Sequence, residues 1–231
     1  MTEPEEAPAQ SSFSRPVVIG AAVVAVLLLG AVLGMFLTQR ALNSSEPATP
    51  AAGSVEVGFA QDMSVHHLQA VTMANWERDH STDPQVRQLA FDIQSTQLEQ
   101  VGRMKGWLML WGQPEQTTGA YMTWMTQSGG HDMAGMGMPS PGASSSDAPM
   151  PGMATNAELT RLRSLSGRDL DVYFLQLMLR HHQGGTAMAQ YAHDHTSVAA
   201  VKALTQSILD SQGAEIVLMK QMLAARDAQP L

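Results

Sequence analysis

The chain contains an internal repeat, and this feature most limits the folds that it can adopt. When the sequence is shifted by 115 positions, residues 57–108 align without a gap on residues 172–223, and 17 of the 52 aligned pairs are identical. Each copy contains a His-His pair, with Met three positions before and seven positions after its first member. Such self-similarity marks a duplicated structural unit. We therefore expect two similar units related by a pseudo-twofold axis.

Each copy has the pattern of a helical hairpin. Thr82-Asp83-Pro84 combines a polar cap with proline at the first helical position, which separates two helices in the first copy. Thr155-Asn156-Ala157-Glu158 has the pattern of a capping box, and Ser197 is the predicted cap of the last helix. Hairpins with one apolar face cannot bury that face alone, so we predict an all-α fold, a four-helix bundle of two repeated hairpins. The predicted hairpin regions are 55–112 and 155–228, and the second includes a short helix at 155–165.

An apolar segment precedes the repeat. After a short acidic tail at 1–15, an apolar run follows that is long enough to cross a bilayer as a helix. Cleavable signal peptides have shorter apolar regions. We therefore predict a transmembrane signal anchor at 16–38 and a flexible tether at 39–54, which makes this a single-pass protein of the cell membrane with an extracytoplasmic C-terminal domain. Cleavage within Ala48–Ala52 is the alternative.

Charge and cysteine content exclude two kinds of site. The formal net charge is −8, and no Lys/Arg cluster is present that would neutralise phosphates, so we expect no nucleic-acid partner. The chain has no cysteine, which excludes disulfides and thiolate ligands. A metal site in this protein must therefore use His, Met, Asp or Glu.

The segment between the repeats, residues 113–154, differs in composition from both. It is rich in Met, Gly, Ser and Pro, and we predict a largely flexible link with one short helix around Tyr121–Thr126. Core packing does not account for methionine in such a segment, whereas binding of a soft metal ion does. The methionines and histidine concerned are His131, Met133, Met136, Met138, Met150 and Met153.

Histidine and methionine follow one stripe of the first helix in each repeat. Met63, His66, Met73 and His80 share a helix face, and His67 lies on the flank of this stripe. If the stripes face the bundle interior, the imidazoles must be satisfied by hydrogen bonds or by a metal ion. Imidazole with thioether suits copper, since Met favours Cu(I) and His accommodates both Cu(I) and Cu(II). The second copy has the same stripe, with two flanking histidines: Met178, His181, Met188 and His195, flanked by His182 and His193.

Other polar residues leave alternatives open. Asp79 and Asp194 precede the last histidine of each stripe, where each could orient that imidazole or belong to a capping turn. Gln97 and Gln212 could enter the bundle. For Glu215, a solvated helix face is the expected position.

The two motifs together resemble a known family. Three parts of the chain are similar to the family catalogued as domain of unknown function 305. They are Phe59-Ala60-Gln61-Asp62-Met63 leading to His66-His67, its twin Phe174-Leu175-Gln176-Leu177-Met178 leading to His181-His182, and the Met-rich link. The resemblance implies a ferritin-like four-helix bundle, exported or membrane-anchored, whose members are associated with periplasmic copper binding and copper resistance. It implies as ligand candidates Met63, His66, His67, Met73, His80, Met178, His181, His182, Met188, His195, His131, Met133 and Met136.

The two copies are not equal. Gly184-Gly185 replaces the bulkier or acidic residues usual in the family, and Ala192 stands where the first copy has Glu77. The two halves are therefore expected to differ in affinity.

Three functions are compatible with these features. The favoured one is a membrane-anchored extracytoplasmic protein, not an enzyme, that sequesters copper or delivers it to a partner such as a cuproenzyme. The alternative is a structural or assembly subunit of a membrane complex. A di-iron carboxylate oxidase is less well supported, because that site needs two Glu-x-x-His motifs. Only Glu77-Arg78-Asp79-His80 provides one, since the second copy reads Ala192-His193-Asp194-His195.

Overall fold

The computed structural model describes residues 14–43, 49–126 and 148–231, and within them the fold is all-helical. The helices are α1 (Arg15–Asn43), α2 (Val55–His80), α3 (Pro84–Leu110), α4 (Asn156–Ser164), α5 (Gly167–His195) and α6 (Ala199–Ala224), with a 3-10 helix at Thr123–Thr126. The chain forms two separate units, which meet in sequence between Thr49 and Pro50.

Helix α1 belongs to the first unit and is a candidate membrane span. Its segment Arg15–Arg40 has a mean hydropathy of 2.8, and none of the 18 most apolar consecutive residues in it is buried. About 20 apolar residues are enough to cross a bilayer core. A membrane anchor and an N-terminal signal sequence both fit a helix of this length and composition.

The second unit is a bundle of two helical hairpins, which confirms the predicted all-α fold. Helix α2 packs on α3, α5 packs on α6, and α2 packs on α5. The end of α2 meets the start of α5, where the Ser81 hydroxyl donates to Asp171 at 2.6 Å. At the other end, the Thr196 hydroxyl donates to Glu56 at 2.7 Å. These two contacts are equivalent under the 115-residue shift, so α2 and α5 lie antiparallel about a pseudo-twofold axis.

Two of the three predicted caps are confirmed. The Asp83 carboxylate accepts from the amides of Gln85 and Val86, and the capping box of Thr155 with Glu158 is complete. The start of α6 differs from the prediction. Its cap position is Val198, the repeat equivalent of Asp83, and Ser197 lies one residue earlier and is exposed. The Thr196 hydroxyl accepts from the Val198 amide at 3.1 Å.

Both described ends of the link have residues that pack onto the bundle, and the first end contains the 3-10 helix Thr123–Thr126 where a short helix was predicted. Trp124 is 2% exposed, and its indole N–H donates to the buried Asp62 carboxylate at 2.9 Å. At the other end, Met150 and Met153 are buried in the bundle core. Methionine at these two positions is therefore explained by packing. The candidate ligands His131, Met133 and Met136, with Met138, lie outside the described residues.

Replacing Asp62 by Ala should loosen the first end of the link. The variant leaves the Trp124 indole and the Met122 amide, which donates to Asp62 at 2.7 Å, without their buried acceptor. We expect the free energy of unfolding to fall by about 1–3 kcal/mol, measured by urea denaturation of residues 50–231. The control is Asp79→Ala on the same helix, where the side chain is 58% exposed. An equal loss in both variants would contradict the anchoring role of Asp62.

Candidate metal centre

Four histidines meet where α2 crosses α5. His66, His67, His181 and His182 all have 0% exposure. The rings of His66 and His181 are in contact across the helix pair, with 3.8 Å between their centroids and 37° between their planes. His67 and His182, expected on the flank of the stripe, are buried as completely as the other two. The crossing of the helices therefore creates one layer of imidazoles in the middle of the bundle.

Three of these rings have their Nε2 atom engaged by an oxygen. His66 Nε2 lies 3.1 Å from the Pro151 carbonyl oxygen, His67 Nε2 lies 2.8 Å from the Gln100 amide oxygen, and His182 Nε2 lies 2.7 Å from the Glu215 carboxylate. Carbonyl and carboxylate oxygens only accept hydrogen bonds, so Nε2 carries the hydrogen in each ring. In His66 and His67, where burial lowers the pKa, the Nδ1 atom is then a lone-pair donor, which is the form that binds a metal ion.

The Nδ1 atoms of these three rings are buried and have no hydrogen-bond partner. Neither ring nitrogen of His181 has a partner of regular geometry, although the His66 backbone lies near that ring. Burial lowers the pKa of His66 to about 4 and that of His67 to about 3. Burial, together with the neighbouring imidazoles, holds the pKa of His181 well below its usual value. These three rings are therefore neutral at pH 7, as metal ligands must be.

Two buried amides add to this layer. Gln97 and Gln212 are equivalent under the repeat, and no polar atom of either side chain has a partner. A Cβ atom at Gly185 would lie 2.9 Å from the Gln212 amide oxygen and 3.2 Å from His66 Cε1, so Gln212 and the His66 ring meet at this glycine. In the described parts of the chain, nine of the fourteen buried side-chain polar atoms without a partner belong to these four histidines and two glutamines. Such concentration is unusual in a protein core and is typical of a binding site.

Methionines lie on both sides of the histidine layer. Met63 and Met188 belong to one core cluster, and Met73 and Met178 belong to the other. All four are at most 1% exposed. Met63 and Met178 are the nearest to the layer in sequence, since each lies one helical turn before a His-His pair. The predicted stripe is thus buried from Met63 to Met73 and from Met178 to Met188.

The last histidines of the stripes do not join this layer. His80 is exposed, stacks on Trp76 with 3.7 Å between centroids, and has Nδ1 2.8 Å from the Trp76 carbonyl. His195 stacks on Tyr191 in the same way. Fourteen residues of helix place His80 about 21 Å from His66 along the axis. These histidines lie at the helix ends, beyond the packed core.

Three other candidate residues also lie apart from the layer. His193 is half-buried, with Nδ1 3.2 Å from the Thr205 hydroxyl, twelve residues away from His181. Asp79 and Asp194 are exposed and contact Arg78 and Gln190 rather than a histidine. In the described ranges, no three His, Asp or Glu side chains are arranged as a ready-made metal site. Metal binding by the layer therefore requires the imidazoles to reorient.

Gln100, Glu215 and Pro151, which hold the imidazoles, were not among the predicted site residues. Gln100 is 2% exposed, and the Glu215 side chain is only 17% exposed, which corrects the expected solvated position of Glu215. Gln100 lies 33 residues after His67, and Glu215 lies 33 residues after His182. This equal spacing in the two repeats is the sequence signal that could have predicted both contacts. Pro151 acts through its backbone carbonyl, and no sequence pattern marks such a role.

The second end of the link forms a strap across the layer, defined here as residues 149–154. The strap needs two glycines, because a Cβ atom at Gly184 would lie 2.1 Å from the Pro151 carbonyl oxygen, and one at Gly152 would lie 2.5 Å from the Arg180 carbonyl oxygen. Gln69, the repeat equivalent of Gly184, exchanges two hydrogen bonds with the Ala154 backbone, at 2.7 and 2.9 Å. The departure noted at Gly184 is thus explained by the approach of the strap.

CopM shares this fold and has been solved in metal-bound forms. In its Cu(II)-bound form it is 26% identical to this chain, with a TM-score of 0.54, covering 74% of this chain and 96% of its own. CopM was also solved in Cu(I)-bound and Ag-bound forms. No curated protein sequence matches the chain significantly.

Two solved structures carry a family name. The first, a protein described as secreted from Streptomyces coelicolor, is 43% identical with a TM-score of 0.67, covering 78% of this chain and 99% of its own. The second, a fragment from Deinococcus radiodurans, is 33% identical with a TM-score of 0.58, covering 78% of this chain and 99% of its own. Both are DUF305 proteins, and the family profile itself matches residues 56–223. The chain therefore belongs to the DUF305 family, a domain of unknown function.

Proposed function

We propose that this protein is a membrane-anchored, extracytoplasmic copper-binding protein, and that the histidine layer is its copper site. The observation that carries the proposal is the state of the imidazoles. Three rings present a buried, unpartnered Nδ1 because an oxygen holds each Nε2–H, and His181 adds a fourth ring. An engaged Nε2 leaves Nδ1 as the ring nitrogen that is available to a metal ion.

The donor set favours copper over zinc. Structural zinc sites combine thiolate and imidazole ligands, and this chain has no cysteine. Thioether ligands select Cu(I), while imidazole accepts both oxidation states. Met63 and Met178 would add thioether ligands to the four imidazoles. Met188 shares a core cluster with Met63, and Met73 shares one with Met178. The copper-bound forms of CopM, which shares the fold, support this choice.

The anchor and the cellular location form part of the proposal. Helix α1 has the length and composition of a membrane span. The similarity to a relative described as secreted supports an exported bundle. In this arrangement the protein would sequester copper outside the cytoplasm or deliver it to a partner such as a cuproenzyme.

The di-iron alternative loses support from the position of its motif. Glu77 is fully buried, whereas His80 is exposed and stacks on Trp76. The two residues of the Glu-x-x-His motif therefore do not face a common site. We propose no catalytic role.

Metal analysis of a histidine-free layer tests the proposal. The full-length protein in detergent is dialysed against Cu(I) under anaerobic reducing conditions, and bound copper per chain is measured by mass spectrometry. Replacing His66, His67, His181 and His182 together by Ala should remove at least one copper per chain, because the layer then has no imidazole.

The matched control is His80→Ala with His195→Ala, which removes two histidines outside the layer. We expect this variant to keep its copper content. An unchanged copper content in the fourfold variant, or an equal loss in both variants, would refute the assignment, provided that circular dichroism shows both to be folded.

A further inference from the structure

The strap differs from the other supports of the histidine layer because it belongs to no helix. Gln100 lies on α3 and Glu215 lies on α6, and both helices contribute buried residues to the core along their length. The Pro151 carbonyl, 3.1 Å from His66 Nε2, belongs to the strap. Withdrawing Gln100 or Glu215 would displace a core helix, whereas withdrawing Pro151 would not. Of the three supports, the strap is therefore the one that can leave the layer most easily.

A tight turn presents the Pro151 carbonyl to the layer. The Met153 amide donates to the Met150 carbonyl at 3.3 Å, and Gly152 between them has a φ of 78°. Proline at the second position and glycine of positive φ at the third are the features of a type II turn. The hydrogen bond of this turn uses the Met150 carbonyl, so the Pro151 carbonyl remains available to His66. The strap thus meets the layer as one compact turn.

The strap spans the groove between the two helices that carry the histidines. Gln69 on α2 and Gly184 on α5 are equivalent under the 115-residue shift, and the strap contacts both of them. All four imidazoles beneath it are 0% exposed. A metal ion therefore reaches the layer only after some part of this cover has moved.

Side chains from both helices hold the strap in place. Gln69 exchanges two hydrogen bonds with the Ala154 backbone, at 2.7 and 2.9 Å, and Arg180 donates to the Met153 carbonyl at 3.4 Å. Met150 and Met153 are buried in the core and must leave it when the strap lifts. None of these contacts is a hydrogen bond within a helix. Lifting the strap is therefore a local opening, which costs less free energy than unfolding of the bundle.

We propose that the strap is the gate of the metal centre, and that its opening sets the rates at which a soft cation such as Cu(I) enters and leaves. The inference rests on the proposed function, since it concerns access to the same site. When the strap lifts, the groove between α2 and α5 is uncovered and Pro151 releases His66 Nε2. One movement thus opens the path and frees one of the four imidazoles to reorient.

Loosening the strap from outside the layer tests this gate. Gln69→Ala removes both side-chain hydrogen bonds to Ala154 and changes no imidazole and no partner of an imidazole. The full-length protein in detergent is mixed with Ag(I), a redox-inactive probe, to measure association, and an excess of chelator then measures release. Both rate constants should rise about tenfold, because two hydrogen bonds no longer hold the strap closed. The dissociation constant should stay nearly the same, since the gate closes over the filled site as over the empty one.

The matched control is Gln190→Ala, which also removes two hydrogen bonds of a glutamine side chain, here to the exposed Asp194 on α5. It should leave both rate constants unchanged. Hydrogen exchange at the Met153 amide of the metal-free protein measures opening of the strap without any metal. This exchange should become faster in Gln69→Ala and stay unchanged in Gln190→Ala.

Unchanged rate constants in Gln69→Ala, at whatever rate Met153 exchanges, would overturn the inference while leaving copper binding intact. A weaker affinity with an unchanged association rate would also overturn it, because the strap would then only support the site. If Gln69→Ala does not fold, Arg180→Met, which loosens the strap from α5, decides in the same way. Failure of the natural protein to bind either Ag(I) or Cu(I) would instead overturn the proposed function together with this inference.

Discussion

Replacing Glu77 by Gln should stabilise the bundle at alkaline pH, by up to about 5 kcal/mol at pH 8. Glu77 is 0% exposed, and neither of its oxygens has a hydrogen-bond partner of regular geometry. Burial, and then the nearby Asp171 carboxylate, raise the pKa of Glu77 to about 9. The folded protein therefore holds this carboxyl group in its neutral form.

The direction of the pH effect follows from the two pKa values. The ordinary value is 4.5 and the folded value is about 9, so between them the folded state keeps a proton that the unfolded state releases. Stability is then highest below pH 4.5 and falls as the pH rises toward 9. Each pH unit in this window costs about 1.4 kcal/mol at most. Gln resembles the neutral acid and has no such cost.

Urea denaturation of residues 50–231 at pH 5 and pH 8 measures this effect. The natural protein and Glu77→Gln should have similar free energies of unfolding at pH 5 and diverge at pH 8. Glu99→Gln, at an exposed position on α3, should follow the natural protein at both values. Parallel pH profiles for the natural protein and Glu77→Gln would show that Glu77 is ionised in the folded state.

Replacing Gly184 by Ala should detach the strap and lower the free energy of unfolding by about 1–3 kcal/mol. The added Cβ atom would lie 2.1 Å from the Pro151 carbonyl oxygen, and backbone cannot move aside as a flexible side chain can. Displacement of Pro151 also removes the acceptor of His66 Nε2. Helix propensity alone would favour Ala at this position, so the steric effect acts against it.

Gly213→Ala is the matched control, because Gly213 lies inside α6 with no atom within 4 Å of the added Cβ. There the same substitution should stabilise the protein by about 0.5–1 kcal/mol. In thermal unfolding, Gly184→Ala should lower the midpoint temperature and Gly213→Ala should raise it. Hydrogen exchange at the Ala154 amide, which donates to Gln69, measures detachment of the strap. Stabilisation by both substitutions would mean that the strap does not rest on Gly184.

Local sequence signals predicted the helices because their causes are local. Asp83 before Pro84 and the Thr155–Glu158 capping box satisfy free amides within one helical turn, so the residues alone reveal where those helices begin. Ser197 is not the cap, because α6 begins one residue later than predicted, with Val198 at the position that Asp83 has in the first repeat. Which of several adjacent residues stands at a cap position depends on the backbone path, which composition does not reveal.

The link shows a different limit. Its composition predicted a segment without a core of its own, yet Trp124 and Met150 pack into the core of the bundle. A segment that cannot fold alone can still be ordered by a surface formed elsewhere. Asp62 and Gly184 provide such contacts, and both are distant in sequence from the residues that they hold.

The sequence by itself determined the repeat, the paired hairpins, the absence of thiolate ligands and the identity of the His-Met stripe, because periodicity and composition are properties of the chain. The tertiary structure alone decided which stripe residues meet. A helical wheel assigns His66 and His80 to one face, but only the crossing with α5 puts His66 against His181 and leaves His80 beyond the core. The supporting contacts of Gln100, Glu215 and Pro151 are likewise tertiary, since each joins groups at least 33 residues apart.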